Sequence, residues 1–240
     1  MFEGYLDLVS ESIGRIKETQ KASIRSTAKL VADTISEGGW VYTYGSGHSE
    51  LLACEIHARA GGLYPIVHIP DPMTGRAERL EGFGEILVNN IPFKKGETII
   101  IISNSGRNPA PIEVAMHAKK MGLNVIVLTS MEHTKSVASR HSSGKNLHEF
   151  GDIVIDSGVP SGDAGVTLGD FPAKVGALST VLGAAILNAV VVEAVQYMLD
   201  QGQDPPVLIS FNLDGSSEHN TRVIERFGQL PGAMGMMIAT

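Results

Sequence analysis

The chain has little with which to cross-link itself or to attract anions from a distance. A single cysteine, Cys54, serves 240 residues, so no intramolecular disulfide and no cysteine-based metal cage can form. A reducing, cytoplasmic setting is the expected one. Positive charge is also short: the formal net charge of −7 excludes a broad electrostatic footprint for nucleic acid or an anionic membrane. Any anionic ligand must then be held by local donors. No Gly-Lys-Ser/Thr triplet occurs, which excludes a Walker A phosphate loop. There is no internal repeat, no low-complexity tract and no basic helix-turn-helix segment. The opening Met1-Phe2-Glu3-Gly4-Tyr5 has neither a basic region nor an apolar core, so no secretory signal is expected. The most apolar run, Ala177 to Leu199, is interrupted by Gly183, Asn188, Glu193 and Gln196. It is expected to be a helix in the core or at a subunit contact rather than a membrane span.

What is present is a 43% hydrophobic chain, enough for one large α/β domain. Apolar positions at three- and four-residue spacing over 5–37 predict one or two amphipathic helices, closed by Gly38-Gly39. Apolar and β-branched runs at 40–44, 65–69, 98–102, 124–128 and 153–155 predict five strands. Helical stretches are expected at 49–60 and 109–121, and a short helix near 222–227. Without a hairpin signal between them, strands alternating with helices predict a doubly wound five-stranded parallel sheet flanked by helices. One domain is expected, with a helical lead at 1–37, an α/β core at 38–200 and a C-terminal extension at 201–240.

Two loops at the carboxyl ends of predicted strands carry the chemistry, where such sheets bind their ligands. Gly45-Ser46-Gly47-His48-Ser49 follows the first strand and opens a helix, so its backbone N–H groups and the Ser46 and Ser49 hydroxyls suit a phosphate. A dinucleotide fingerprint would place a third glycine at position 50, where this chain has Glu50. Ser103-Asn104-Ser105-Gly106-Arg107-Asn108-Pro109 repeats the arrangement after the third strand, with Asn108 placed to cap the next helix and Pro109 at its first position. Together the loops predict a lysine-free, hydroxyl-rich cradle for one phosphate. Thr129-Ser130 is either a further part of that rim or a simple turn.

A Gly-x-Gly-x-Ser turn after one strand and a Ser-x-Ser-Gly turn after a later one resemble the sugar isomerase (SIS) domain family over about residues 35–200. The resemblance implies an SIS fold, a phosphosugar ligand, and homodimers or homotetramers with sites near subunit contacts. Phosphoheptose isomerases have the most similar layout, and N-acetylmuramic acid 6-phosphate etherases a more distant one. In both, a glutamate for proton transfer lies on the helix after the first loop; counting from Gly45 puts Arg59 there. The histidines and polar residues that bind metal in phosphoheptose isomerases are likewise not matched, since Glu55 stands on the first helix and the run around Asn188 has no histidine. No metal and no cofactor are expected.

Phosphosugar binding is therefore assigned to Ser46, Gly47, His48, Ser49, Ser103, Asn104, Ser105 and Asn108. Aldose-ketose isomerisation needs a base and an acid, and Glu55, Glu218 and His219 are the leading candidates. Glu55 is either a site carboxylate or half of an exposed ion pair with Arg59. Glu218 and His219 lie in a polar cluster, Asp214 to Asn220, that is either a capped turn or a supplier of acid and base, to this site or a neighbouring subunit's. Glu78 and Glu81, in the long connection Asp71 to Gly84, are a third choice, and Asp163 and Thr167 candidates for the pocket wall. The expected function is a sugar-phosphate isomerase, with a non-catalytic phosphosugar sensor or an etherase as alternatives.

Overall fold

The computed structural model describes residues 1–229 and 231; the rest of the expected C-terminal extension lies outside the described residues. Two amphipathic helices, α1 (Phe2–Thr19) and α2 (Lys21–Ser36), lead into β1 (Val41–Gly45), α3 (His48–Glu55) and β2 (Ile66–Ile69). A turn-rich connection then reaches α4 (Phe83–Val88), and β3 (Thr98–Ile102), α5 (Pro109–Met121), β4 (Asn124–Thr129), α6 (Met131–Ser136) and β5 (Ile153–Asp156) complete the sheet. The five strands are parallel throughout, in the order β2-β1-β3-β4-β5. Alternate side chains divide into two cores, as the period-two geometry of a strand requires. Val41, Ile66, Ile100, Ile102, Ile126 and Leu128 face α2, α3 and α7 (Ser179–Asp200). Tyr42, Tyr44, Val67, Ile99, Ile101 and Val125 face α5 and the apolar side of α8 (Ser216–Phe227).

Three local expectations are revised. The helix expected over 49–60, α3, stops at Glu55, before an irregular stretch in which Ala58 has φ 44° and Gly61 φ 77°. The glycine-rich segment before α7 contains half of an antiparallel pair, β6 (Ala164–Val166) and β7 (Val175–Ala177), tied to α1 by Tyr5 Oη donating to the Ala177 carbonyl at 2.7 Å. The polar cluster near 214–220 is the first half of α8: Asn220 donates to and accepts from the backbone of Ile209, while Val223, Ile224 and Phe227 pack into the core. Among the described residues α7 alone is long and apolar enough to cross a membrane. Its inner face, with Leu182, Ile186, Leu187 and Val190, is built into the core of this fold.

Candidate functional site at the sheet's switch point

The chain moves from β1 outward to β2 and then returns to place β3 on β1's other side. The crevice beyond the carboxyl ends of β1 and β3 is thus the topological switch point, where doubly wound sheets bind ligands. An open cavity of about 220 Å³ lies there, lined by Ser46 and Ser49 from one loop and by Ser103, Asn104, Ser105 and Asn108 from the other. Six of the eight residues assigned to phosphosugar binding from the sequence are brought together. Gly47 and His48 stand beside it: the His48 side chain is exposed, and Gly47, with φ 59°, turns the chain into α3. Gly45 lets strand and helix meet, because a Cβ there would lie 2.3 Å from the Ser49 carbonyl oxygen.

A buried polar chain stands behind the β1 loop. Ser46 Oγ donates to Asp71 Oδ2 at 2.6 Å, and the same carboxyl group accepts the backbone N–H of Met73 on Oδ1 and of Gly75 on Oδ2, each at 2.9 Å. Glu50 accepts the Asp71 N–H at 2.8 Å and lies 3.6 Å from His68 Nε2. Glu50 therefore points away from the cavity, and burial raises its pKa above the ordinary carboxylate range. Burial, and secondarily the neighbouring His57, hold His68 down to about 4. Cys54 Sγ sits 3.3 Å from His68 Nδ1, and burial pushes the thiol's pKa up. A protonated thiol donating to Nδ1 puts the single proton of the neutral imidazole on Nε2, facing Glu50.

The β3 loop is wired differently. Ser103 Oγ accepts the Gly106 N–H at 3.2 Å, which leaves the serine's own proton free. Gly106 has φ 61°, and a Cβ would meet Thr134 Oγ1 at 2.7 Å. Asn108 does occupy the cap position of α5, but its side-chain oxygen accepts from Arg140 Nη1 at 2.8 Å instead of from the helix. Pro109 and Pro111 have no N–H, and Ala110 donates its own to the Glu78 carbonyl at 3.1 Å. The first turn of α5 thus contributes its dipole but no free donor. Any anion bound here would have to be held by hydroxyls and loop amides.

Besides Ile102 and Pro111, two titratable side chains line the same cavity, Glu78 and His133. Glu78 was the third choice among carboxylates. Its connection crosses the β1 loop closely, since a Cβ on Gly75 would stand 2.8 Å from Gly47 Cα. His133 was missed. Ser130, the cap of α6, accepts the His133 N–H at 3.1 Å while donating to the Val159 carbonyl. Ser130 is therefore a buried cap rather than part of the rim, and His133 sits in the first turn it fixes. The available signal was positional: β4 adjoins β3, so the first turn after β4 also faces the crevice.

The structure does not bring the leading catalytic candidates to this cavity within one chain. Glu55 is engaged by Arg59 one turn on, both partly exposed. Glu218 is exposed on α8, and His219 Nε2 lies 2.9 Å from the Val207 carbonyl. Val207 pairs with Leu63, just before β2 begins, at the end of the sheet opposite the serine loops. Glu81 accepts the Ser142 N–H at 2.5 Å, and hydrogen bonding from Ser142, its hydroxyl ahead of its N–H, lowers the carboxyl pKa. Asp163 accepts from the Leu178 and Ser179 N–H groups and caps α7. Among the described residues no group of three His, Cys, Asp or Glu side chains is arranged to hold a metal ion.

A parallel five-stranded sheet with hydroxyl-bearing loops at its switch point is the layout of the sugar isomerase domains, and the chain belongs to the SIS domain family, whose model matches residues 4–130. Among its relatives are UPF0309 proteins. One from Listeria monocytogenes is 40% identical, with 93% of this chain and 95% of the relative covered. One from Streptomyces coelicolor is 38% identical, with 94% of each covered. Solved structures share the fold at low identity. The phosphoheptose isomerase of Francisella tularensis superposes with a TM-score of 0.58 at 16% identity, covering 81% of this chain and 96% of that one. That of Neisseria gonorrhoeae gives 0.53 at 14% identity, covering 83% and 97%.

Proposed function

We propose that this protein binds a sugar phosphate at the switch-point cavity and interconverts its aldose and ketose forms. The observation that carries the reading is the presence of Glu78 and His133 in the same cavity as four serines from the two signature loops. Serine hydroxyls of the β3 loop, with loop amides, hold the phosphate. Glu78 is the carboxylate base that moves a proton between C1 and C2, and His133 serves the oxygens. His133 is half-buried, and its Nδ1 is held by no hydrogen bond among the described residues. We read the exposed apolar residues Phe2 and Leu6 of α1 and Val192 and Leu199 of α7 as the contact with a second copy, to be checked by the mass in solution. The function is tested by incubating the protein with aldose and ketose phosphates in deuterated water. Incorporation of deuterium at C1 or C2 supports it; binding without any exchange rejects isomerisation and makes the protein a sensor.

A further inference from the structure

The two signature loops present serines of opposite hydrogen-bonding polarity. A serine hydroxyl has one proton and two lone pairs. Both oxygens of Asp71 already accept a backbone N–H, so the 2.6 Å contact with Ser46 is made with the serine's proton. Ser46 then shows the cavity lone pairs only. Ser103 is the reverse: its lone pair takes the Gly106 N–H, and its proton is free for the cavity. The carboxyl of Asp71 stands directly behind Ser46, and Glu50 accepts the Asp71 N–H, so a phosphate set on Ser46 would face an acceptor backed by a carboxylate where one set on Ser103 meets a donor.

Building on the sugar-phosphate reading, we propose that Ser46 is an acceptor for a hydroxyl or amino group of the sugar, not a phosphate ligand, and that Asp71 is the positioning residue that fixes this polarity. The assignment orients the ligand: its phosphate lies over the β3 loop, its hydroxylated carbons over the β1 loop. A deoxy sugar phosphate lacking the hydroxyl that Ser46 reads would leave a buried acceptor unpaired and bind more weakly.

The test is calorimetric titration of the wild type, Ser46→Ala, Ser46→Cys and Ser103→Ala with inorganic phosphate and with a panel of aldose and ketose phosphates. Cysteine keeps the shape and a proton for Asp71 but is a poor acceptor, so it guards against a folding defect in the alanine variant. Both Ser46 variants are expected to bind inorganic phosphate within about twofold of wild type and the sugar phosphate about tenfold more weakly, whereas Ser103→Ala weakens both. If the Ser46 variants lose inorganic phosphate in step with Ser103→Ala, the assignment is overturned while the sugar-phosphate reading stands. If the wild type binds inorganic phosphate but no sugar phosphate, that reading falls and this inference with it.

Discussion

Ala110, in the first turn of α5, donates its backbone N–H to the carbonyl of Glu78 at 3.1 Å. The bond fastens the connection after β2 to the helix after β3, so the position of Glu78 is set by the sheet although it lies in a region of turns. It also consumes a helix-terminal donor that would otherwise face an anion.

Glu78→Gln keeps the side chain's size and the backbone bond while removing the base. Solvent deuterium exchange into a bound sugar phosphate is expected to fall by roughly 100-fold or more, the usual worth of a general base, with ligand-induced thermal stabilisation retained. Exchange at the wild-type rate would remove Glu78 from the mechanism.

Ser105→Ala deletes a hydroxyl from the side of the cavity where the α5 dipole favours an anion. Hydrogen bonds to a charged group contribute about 1.5–3 kcal/mol, so affinity for a sugar phosphate should fall roughly tenfold to a hundredfold. Titration calorimetry checks it, and an unchanged affinity would place the phosphate elsewhere.

The strands and the two serine loops were legible because their signals are local: continuous apolar runs such as Thr98–Ile102, and glycine-serine turns directly after them. The catalytic candidates were not, because a carboxylate is recognised as part of a site by what surrounds it. Glu55 and Glu78 look alike in sequence. One meets Arg59 just past the end of its own helix, while the other is carried over the cavity by turns whose course depends on contacts with β1 and α5. His219 looked like an acid because its polar neighbours suggested a turn; in α8 it meets a carbonyl at the far end of the sheet. The motif placed Ser46 at the mouth of the crevice, but its contact with Asp71 was not legible, since the two meet only through tertiary structure.

Glu55→Ala discriminates between the sequence candidate and the structural one. A largely exposed ion pair contributes about 0.2–1 kcal/mol, so urea unfolding should shift by no more than about 1 kcal/mol, and deuterium exchange should not change. A large loss of exchange with stability intact would return Glu55 to the site.

Gly45→Ala would force a Cβ to within 2.3 Å of the Ser49 carbonyl oxygen and 2.5 Å of its carbon, both backbone atoms. The strand-helix junction must open, at a cost of roughly 1–3 kcal/mol or more. Because the same junction aims Ser46 and Ser49, ligand binding should weaken too. Denaturant unfolding with and without a sugar phosphate measures both, and a variant as stable as wild type would contradict the close approach.

Acid should destabilise the fold through His68. His68 is 5% exposed and titrates near 4 in the folded protein, against 6.5 for an unperturbed histidine. Between those values the unfolded chain binds the proton and the folded one does not, so stability falls as the pH drops from about 6.5 through about 4. The full span corresponds to something on the order of 3 kcal/mol. Glu50 acts in the opposite sense: its raised folded pKa means that its contribution is present at low pH and lost as pH rises through its titration. The two partly offset each other in wild type, and replacing the histidine exposes the difference. Urea unfolding at about pH 7 and about pH 4.5 should show His68→Gln losing less stability on acidification than wild type. An equal or greater loss in the variant would mean that His68 does not carry the acid sensitivity.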